Sequence, residues 1–218
     1  MARPRERSGK RRRRRVLPMS FRSRFKTSFS HNDFYRPFLL RQVPPGARRA
    51  LDVGCGTGRF AHLLATRAGH VDAVDRSAEM ISAGSPAPNI SFAHADIRDL
   101  DLTPGYDFIS CIAAIHHVPF GPTVTQLRDA LAPGGVLAIL GLSRYTLGHL
   151  GIDLVAFCPN KIRQLQAALR HPEPRPPAPV MDAQLSLAEI RAQARTLLPG
   201  ARIRSHLYWR YSLIWVNA

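Results

Sequence analysis

Three glycines at alternate positions, in the run Gly54-Cys55-Gly56-Thr57-Gly58, follow a short apolar stretch of the chain. Glycine lets the backbone adopt positive φ and come close to a ligand, and the helix expected after this turn begins with N–H groups that lack intrahelical partners. A turn of this kind predicts a nucleotide-like cofactor. A tight turn that binds nothing is the alternative, although such a turn seldom needs three glycines so close together.

The glycine spacing alone does not decide which cofactor binds. Gly56, Gly58 and Ala61 satisfy the dinucleotide pattern G-x-G-x-x-G/A. Asp75 also lies near the distance of about 20 residues at which an acid meets a ribose in dinucleotide folds. On this pattern a nicotinamide-dependent enzyme stays open.

Two acids at predicted strand ends favour a different cofactor. Asp75 ends the second predicted strand and Asp96 the third, and the carboxyl ends of parallel strands meet at the edge where open α/β sheets bind ligands. One acid can accept from a ribose hydroxyl and the other from an adenine amine, whereas two facing carboxylates would repel a pyrophosphate. The chain also ends in a predicted antiparallel strand pair, which a dinucleotide fold does not require.

Two adjacent histidines, His116 and His117, follow the fourth predicted strand and face the place where a second reactant would arrive. His117 is the candidate general base, because imidazole titrates near neutral pH. Packing or hydrogen bonding at the mouth of the pocket is the alternative role for this side chain.

The hydrophobic pattern predicts a sheet that would bring these side chains together. Short apolar segments alternate with helical ones, which is typical of βαβ units and a parallel sheet covered on both faces. The last two strands are too close for a crossover helix and must pair antiparallel. The predicted fold is α/β: a doubly wound, mostly parallel seven-stranded sheet with a C-terminal antiparallel hairpin. The predicted strands are 48–53, 71–74, 90–93, 107–113, 136–140, 201–209 and 211–216, and the predicted helices are 59–68, 78–83, 124–131, 145–157, 161–170 and 187–198.

A further amphipathic helix is predicted over residues 31–42, and Pro37 is expected to break or kink it. His31 and Tyr35 lie four residues apart and therefore share one face of this helix. They are candidates for a lid over the cofactor, with ordinary packing as the alternative. The aromatic residues near the C-terminus, Trp209 and Trp215 among them, are expected to pack in the core.

The net charge of +16 belongs mostly to one end of the chain. Residues 1–26 hold twelve of the 31 lysines and arginines and a single acid, Glu6. Such a segment predicts a disordered, solvated tail, with contact to nucleic acid or an anionic surface as an alternative. Met19, where the composition changes, is an alternative start. Residues 27–218 are expected to form one domain, with a proline-rich connector at 171–180.

Several classes of protein are disfavoured by the composition. No apolar run approaches the roughly 18–20 residues that a membrane span needs, and residues 16–19 do not make the apolar stretch of a secretory signal. The three cysteines, Cys55, Cys111 and Cys158, fit neither a disulfide framework nor a zinc site. Reduced thiols in a cytoplasmic protein are expected, and the sequence contains no pattern of metal ligands.

Five segments of the chain resemble the class I S-adenosylmethionine-dependent methyltransferases, particularly the small "type 11" group that includes quinone-biosynthesis-like enzymes. They agree with the family in sequence, order and spacing over about residues 47–142. The segments are LDVGCGTG (51–58), AVDRSAEMI (73–81), HADIRDL (94–100), YDFISCIAAIHHV (106–118) and LAPGGVLAIL (131–140).

The resemblance implies S-adenosyl-L-methionine as the cofactor and a set of residues around it. Asp75 would hold the ribose hydroxyls, and Asp96 with Ile97 would hold the adenine. Asp52 would order the glycine turn and meet the methionine ammonium group. The other residues implied at this site are Gly54, Cys55, Gly56, Gly58, Arg76, Met80, Ile115 and His116.

The resemblance also implies where a methyl acceptor would bind, in the region between the fifth strand and the last hairpin. The candidates there are Arg144, Tyr145, Asp153 and Phe157. The predicted function is methyl transfer to the oxygen, nitrogen or carbon of a small organic molecule, with no membrane partner. The alternatives are an RNA or protein methyltransferase that uses the basic tail, and a non-catalytic donor-binding protein. An enzyme that methylates the exocyclic amines of nucleic-acid bases is disfavoured, because such enzymes generally use an Asn/Asp-Pro-Pro-aromatic loop after the fourth strand, and residues 113–117 lack it.

Overall fold

The structure of the protein is a computed structural model, and it describes residues 31–144, 182–207 and 209–218. Several predictions concern residues outside these ranges. They are the disordered tail (1–26), the proline-rich connector (171–180), the helices at 145–157 and 161–170, and the acceptor candidates Tyr145, Asp153 and Phe157.

Seven strands of the described chain form one sheet in the order β3-β2-β1-β4-β5-β7-β6. The first five strands pair in parallel, β7 pairs antiparallel with β5, and β6 pairs antiparallel with β7. The predicted fold class and the C-terminal hairpin are thus confirmed. The strands are β1 (Arg49–Val53), β2 (His70–Asp75), β3 (Ile90–His94), β4 (Tyr106–Ile112), β5 (Leu131–Leu142), β6 (Arg202–Ser205) and β7 (Arg210–Val216).

Helices cover both faces of the sheet, and each face has its own apolar cluster. On one face, β1, β4 and β5 pack against the helices that carry Leu127 and Ile190. On the other face, the same strands pack against the helices that carry Leu39 and Phe60. The described α-helices are α1 (Arg36–Leu40), α2 (Arg59–Leu64), α3 (Ala78–Ser82), α4 (Phe120–Asp129) and α5 (Leu187–Leu197), with 3-10 helices at His31–Phe34, Ile97–Asp99 and Ile115–His117.

The helix predicted over residues 31–42 is two short helices. A 3-10 helix ends at Phe34 and α1 begins at Arg36, so that Pro37 lies in the first turn of α1. A proline is tolerated there because the first N–H groups of a helix have no intrahelical acceptor. The interruption therefore comes before the proline rather than at it.

The segment before β5 also differs from its prediction. The helix predicted to reach Leu131 ends at Asp129, and β5 starts at Leu131 rather than Val136. Leu131 pairs with Tyr106 of β4, and the N–H groups of Gly105 and Tyr106 donate to the carbonyl of Ala130. The helix therefore ends where pairing with β4 begins, several residues before Pro133, Gly134 and Gly135 would have ended it.

The C-terminal aromatic residues divide between core and surface. Tyr211 and Trp215 are buried, as expected for alternating positions of a strand. Trp209 is 46% exposed and has a φ of 58°, so the expectation of core packing is wrong for this residue. It lies in the turn between β6 and β7, where the strand alternation does not continue.

Candidate functional site

The glycine turn joins β1 to α2, and each of its three glycines has a positive φ. A Cβ on Gly54 would overlap the Cβ of Ala114, and a Cβ on Gly58 would overlap the ring of Phe92. Gly56 differs, because a Cβ there would meet nothing within 4 Å. The turn is thus packed against the protein at two positions and open at the middle one, where the backbone can approach a ligand.

Asp75, at the end of β2, holds the middle of this turn. Its Oδ2 accepts the backbone N–H of Gly56 at 2.7 Å, and its Oδ1 accepts the N–H of Ser77 at 2.9 Å. The Ser77 hydroxyl in turn accepts the N–H of Met80 and caps α3. One carboxylate therefore fixes both the glycine turn and the start of the next helix.

Asp96 lies at the matching position after β3, one strand further out. Its two oxygens accept from the guanidinium of Arg98 at 3.0 and 2.6 Å, and Oδ1 also accepts the N–H of Arg98. The hydrogen bonds from Arg98 lower the pKa of Asp96 to about 2. Asp96 is therefore a carboxylate throughout the physiological range, and it remains an acceptor for a further donor.

A first cavity, of about 210 Å³, lies over the glycine turn and between the two acids. It brings together eight of the residues singled out from the sequence. These are Gly54, Gly56, Asp75, Arg76, Met80, Asp96, Ile97 and His117. Cys55, Gly58 and Asp52 belong to the turn and its preceding strand without lining this cavity, and Ile115 and His116 line a different one.

The end of β4 forms the opposite wall of the first cavity. Cys111, Ile112, Ala113 and Ala114 line it, and Ala113 has a φ of 52°, a conformation that costs a residue with a Cβ free energy. Backbone strain at a cavity wall is typical of functional sites. The apolar pattern of the strand predicted its burial, but no sequence signal distinguished these residues as cavity-lining.

Asp52 is a buried carboxyl group beneath the glycine turn, only 1% exposed. The hydroxyl of Ser110, its neighbour on β4, donates to Oδ1 at 2.7 Å. Burial raises the pKa of Asp52 to about 7, while the Ser110 hydrogen bond and the nearby Arg36 guanidinium act in the opposite direction. Asp52 therefore lies under the turn and does not line the first cavity, and its contact with a methionine ammonium group stays a prediction.

His116 and His117 form one turn of 3-10 helix after β4, with ring centroids 4.2 Å apart. Burial lowers the pKa of His116 to about 4, with a smaller effect from His117, and burial also lowers the pKa of His117. Both rings are thus neutral at pH 7. Each Nδ1 is buried and makes no hydrogen bond within the described part of the chain.

A second cavity, of about 460 Å³, adjoins the first and shares His117 and Val118 with it. Its walls come from the 3-10 helix after β4, the start of α4, the end of β5 and α5. Gln193 of α5 lines this cavity. The sequence placed Gln193 in a predicted helix but did not indicate that it lies at a binding site. The two cavities meet at His117, which is therefore the predicted site residue that faces both.

The N-terminal helices contact the first cavity through Asn32 rather than through the predicted lid pair. Asn32 lines the cavity, and its Oδ1 accepts from Nε of Arg210 at 2.8 Å. Tyr35 is buried against the ring of His206, 4.9 Å between centroids. The side chain of His31 lies outside the described part of the molecule.

Arg144, proposed as an acceptor-binding residue, lines neither cavity. Its guanidinium lies 3.3 Å from Oε2 of Glu189, and both side chains are about half exposed. Its backbone N–H donates to the carbonyl of Leu185, which itself lines the second cavity. Arg144 thus lies beside the acceptor-sized cavity without contributing its charge to the lining.

These features fit an adenosyl donor with a cationic tail. The open face of Gly56 gives room for a ligand against the backbone, and two carboxylates favour a cation over a pyrophosphate. Ile97 and Val118 supply apolar surface for a base. Across the described ranges no cluster of side chains could hold a metal ion, and no helix is long and apolar enough to span a membrane.

Comparison with known protein families and sequences agrees with this arrangement. Residues 50–135 match a family model described as a methyltransferase domain. The chain is 34% identical over 199 residues to an uncharacterized methyltransferase of Mycobacterium tuberculosis, covering 84% of this chain and 94% of that protein. It is also 27% identical over 149 residues to a ubiquinone biosynthesis O-methyltransferase of Xylella fastidiosa, covering 62% of this chain and 61% of that protein.

Solved structures show the same fold at lower identity. An amino pentose methyltransferase from Micromonospora echinaspora, solved with S-adenosylmethionine, aligns with a TM-score of 0.59 and 19% identity over 87% of this chain and 92% of that one. The N-methyltransferase NodS from Bradyrhizobium japonicum, solved with S-adenosyl-L-homocysteine, aligns with a TM-score of 0.58 and 15% identity, over 85% and 86% of the two chains.

Proposed function

The chain belongs to the class I S-adenosylmethionine-dependent methyltransferases, and from that premise we propose that it methylates a small organic molecule. The observation that carries the proposal is the meeting of two cavities at His117 and Val118. One cavity has the two acids and the glycine turn that suit the methyl donor. The other is larger and opens onto the same histidine, so that an acceptor bound there would face the donor.

When bound, the cofactor supplies a methyl group on a sulfonium that carries its own leaving group. In the transfer, a lone pair of the acceptor forms the new bond to the methyl carbon while the carbon–sulfur bond breaks and its electron pair stays on sulfur. The acceptor's proton passes to a base or to water. The protein must therefore chiefly align the reactants and exclude water, which can lower a barrier by about 7–11 kcal/mol.

We assign the donor contacts residue by residue. Asp75 accepts from the ribose hydroxyls, and Asp96 with Ile97 meets the adenine. The open backbone at Gly56 lies against the ribose and the methionine part. The hydrogen bonds already made by the two acids support these roles, because each carboxylate is held in place and keeps acceptor capacity.

His117 is proposed as the group that receives the acceptor's proton. Its pKa is lowered by burial and by the charge of Arg76, against a smaller opposing effect of Asp75. A neutral imidazole at pH 7 can accept a proton, and His117 lines both cavities, so its ring lies where an acceptor would meet the donor. Such a base is needed only when the acceptor is an un-ionised hydroxyl or an ammonium group.

Two further parts of the proposal come from the sequence. A cytoplasmic location is consistent with the buried thiol of Cys111, whose pKa burial raises to about 12 and which is therefore inert. Contact of the basic tail with nucleic acid stays a prediction, since residues 1–26 lie outside the described ranges.

The test is a transfer assay with S-adenosylmethionine labelled on the methyl group and a panel of phenols, quinols and amines. We expect label in at least one organic product and stoichiometric S-adenosylhomocysteine. A parallel reaction with protein and RNA from a cell extract checks the macromolecular alternatives. Label that enters only RNA or protein, or no label transfer together with no donor binding, would contradict the proposal.

A further inference from the structure

The second cavity has a neutral lining wherever the structure describes it. None of its described lining residues is a lysine, arginine, aspartate or glutamate. Apolar side chains such as Ile115, Phe120 and Leu142 make up most of the walls. A charged group placed among them would lose its hydration without gaining a partner of opposite charge, which costs several kcal/mol.

Three arginines lie near this cavity, and none of them lines it. Arg76 lines the first cavity instead, where it is close enough to His117 to contribute to the lowering of its pKa. Arg144 pairs with Glu189 at 3.3 Å on the exposed side of α5. Arg210 is close enough to His116 to contribute to the lowering of its pKa, but its Nε donates to Asn32 at 2.8 Å, and it is not among the residues that line the cavity. The described cations are therefore not arranged to bind an anionic acceptor inside the cavity.

The polar groups that do line the cavity are neutral. Gln184 and Gln193 bring side-chain amides, and His116 and His117 bring imidazole rings. A Cβ built on Gly121 would lie 3.5 Å from Oε1 of Gln193, so this amide reaches across to the start of α4. Amides and neutral imidazoles can orient a hydroxyl or amine by hydrogen bonds without requiring charge on the ligand.

We propose that the methyl acceptor is an uncharged, largely apolar molecule of one or two rings, with its nucleophilic hydroxyl or amine directed at His117. We expect carboxylated and phosphorylated acceptors to bind much more weakly, because no described lining residue carries a charge that could pair with theirs. The cavity volume of about 460 Å³ lies within the range of about 300–1,000 Å³ typical of small-molecule sites. This inference rests on the proposed function and names the chemical class of its substrate.

The experiment compares two bicyclic probes that differ by one carboxylate, 2-naphthol and 6-hydroxy-2-naphthoate. Binding to the full chain, saturated with S-adenosylhomocysteine, is measured by calorimetry at 150 mM salt. We expect saturable binding of 2-naphthol and at least about 30-fold weaker binding of the naphthoate, since burial of an unpaired charge opposes it.

Two variants of α5 test whether the probes bind in the second cavity. Gln193→Glu puts a carboxylate on its wall, whereas Thr196→Glu adds the same charge on the exposed side of the helix. Through like-charge repulsion, we expect Gln193→Glu to weaken binding of the naphthoate at least about 10-fold more than it weakens binding of 2-naphthol. Thr196→Glu should change neither.

The outcomes separate this inference from the proposed function. Failure of S-adenosylhomocysteine to bind overturns the proposed function and the inference with it. Donor binding with no saturable binding of 2-naphthol overturns the inference alone. Naphthoate binding as tight as that of 2-naphthol, or identical effects of Gln193→Glu and Thr196→Glu on the naphthoate, also overturns it.

Discussion

The hydroxyl of Ser110 donates a 2.7 Å hydrogen bond to Oδ1 of Asp52, between paired positions of β4 and β1. The bond lies beneath the glycine turn and among fully buried neighbours. It only partly offsets the effect of burial, which raises the pKa of Asp52 to about 7. The carboxyl group at the centre of the sheet therefore titrates far above its ordinary range, and we expect the stability of the fold to depend on its titration.

The first prediction concerns this titration. Asp52 has a higher pKa in the folded protein than its ordinary value of 3.8 in the unfolded chain, so its contribution to stability is full below about pH 4 and is lost as pH rises through about 7. Replacing it by Asn removes this dependence. We expect the free energy of unfolding of Asp52→Asn, relative to that of the unmodified protein, to increase by roughly 2–4 kcal/mol between pH 4.5 and pH 8.

Urea unfolding at pH 4.5, 6 and 8 measures this difference. The exposed Asp101→Asn is the control for loss of a surface carboxyl group, and the change with pH for Asp52→Asn should exceed the change for this control. A pH-independent difference for Asp52→Asn would show that the carboxyl group does not titrate in this range in the folded state.

The second prediction separates steric overlap from backbone strain in the glycine turn. Gly54→Ala should lower the free energy of unfolding by roughly 2–4 kcal/mol, because the new Cβ overlaps Ala114 and φ is positive. Gly46→Ala has a similar φ of 72° and open space around the Cβ, so it should cost only about 1 kcal/mol. Chemical unfolding of both variants checks the difference. Equal losses of stability would mean that the contact with Ala114 is relaxed easily.

The third prediction concerns the open position in the same turn. A Cβ on Gly56 meets no protein atom within 4 Å but lies at the first cavity. Gly56→Ala should therefore weaken S-adenosylhomocysteine binding by at least about 10-fold, or about 1.4 kcal/mol, while its cost in stability stays close to that of Gly46→Ala. Calorimetric titration of both variants tests this. Undiminished binding by Gly56→Ala would show that the ligand does not approach the turn there.

The fourth prediction concerns His117. If it receives the acceptor's proton, His117→Gln should lower kcat by roughly 10²-fold and leave S-adenosylhomocysteine affinity within about 3-fold. Because the pKa of His117 is lowered, the activity of the unmodified protein should fall with acid only below its ordinary value of 6.5. His62→Gln, on α2 and bonded to the carbonyl of Ser85, is the control. If His117→Gln had the same pH–rate profile as the unmodified protein, His117 would not be the base, and its role would be limited to positioning the acceptor.

The sequence was sufficient for the parts of the site that depend on local pattern. The glycine run and the acids at strand ends were both predicted, because strands, turns and helix starts have short-range signals. The parallel pairing of the first five strands followed from the alternation of strands and helices, whereas the order of the strands in the sheet was not predicted. These features place Asp75 and Asp96 on either side of one cavity without knowledge of any distant contact.

The remaining parts depend on contacts between residues far apart in the chain. Asn32 lines the cavity and accepts a hydrogen bond from Arg210, which lies 178 residues later in the chain. Gly58 packs against Phe92 rather than lining the cavity, and Gln193 joins the second cavity only because α5 packs beside α4. No spacing rule connects such pairs, so the acceptor wall and the N-terminal contact could be identified only in three dimensions.

The central claim, that the carboxylates of Asp75 and Asp96 together hold the ribose and adenine of the donor, is tested most directly by calorimetric titration of S-adenosylhomocysteine. The variants are Asp75→Ala and Asp96→Ala, with the exposed Asp99→Ala as control and circular dichroism to verify folding. We predict that each cavity variant loses at least about 10-fold in affinity, as expected for removal of a charged acceptor worth about 1.5–3 kcal/mol, and that Asp99→Ala binds like the unmodified protein. Folded Asp75→Ala and Asp96→Ala proteins that bind S-adenosylhomocysteine as tightly as the unmodified chain would contradict the claim.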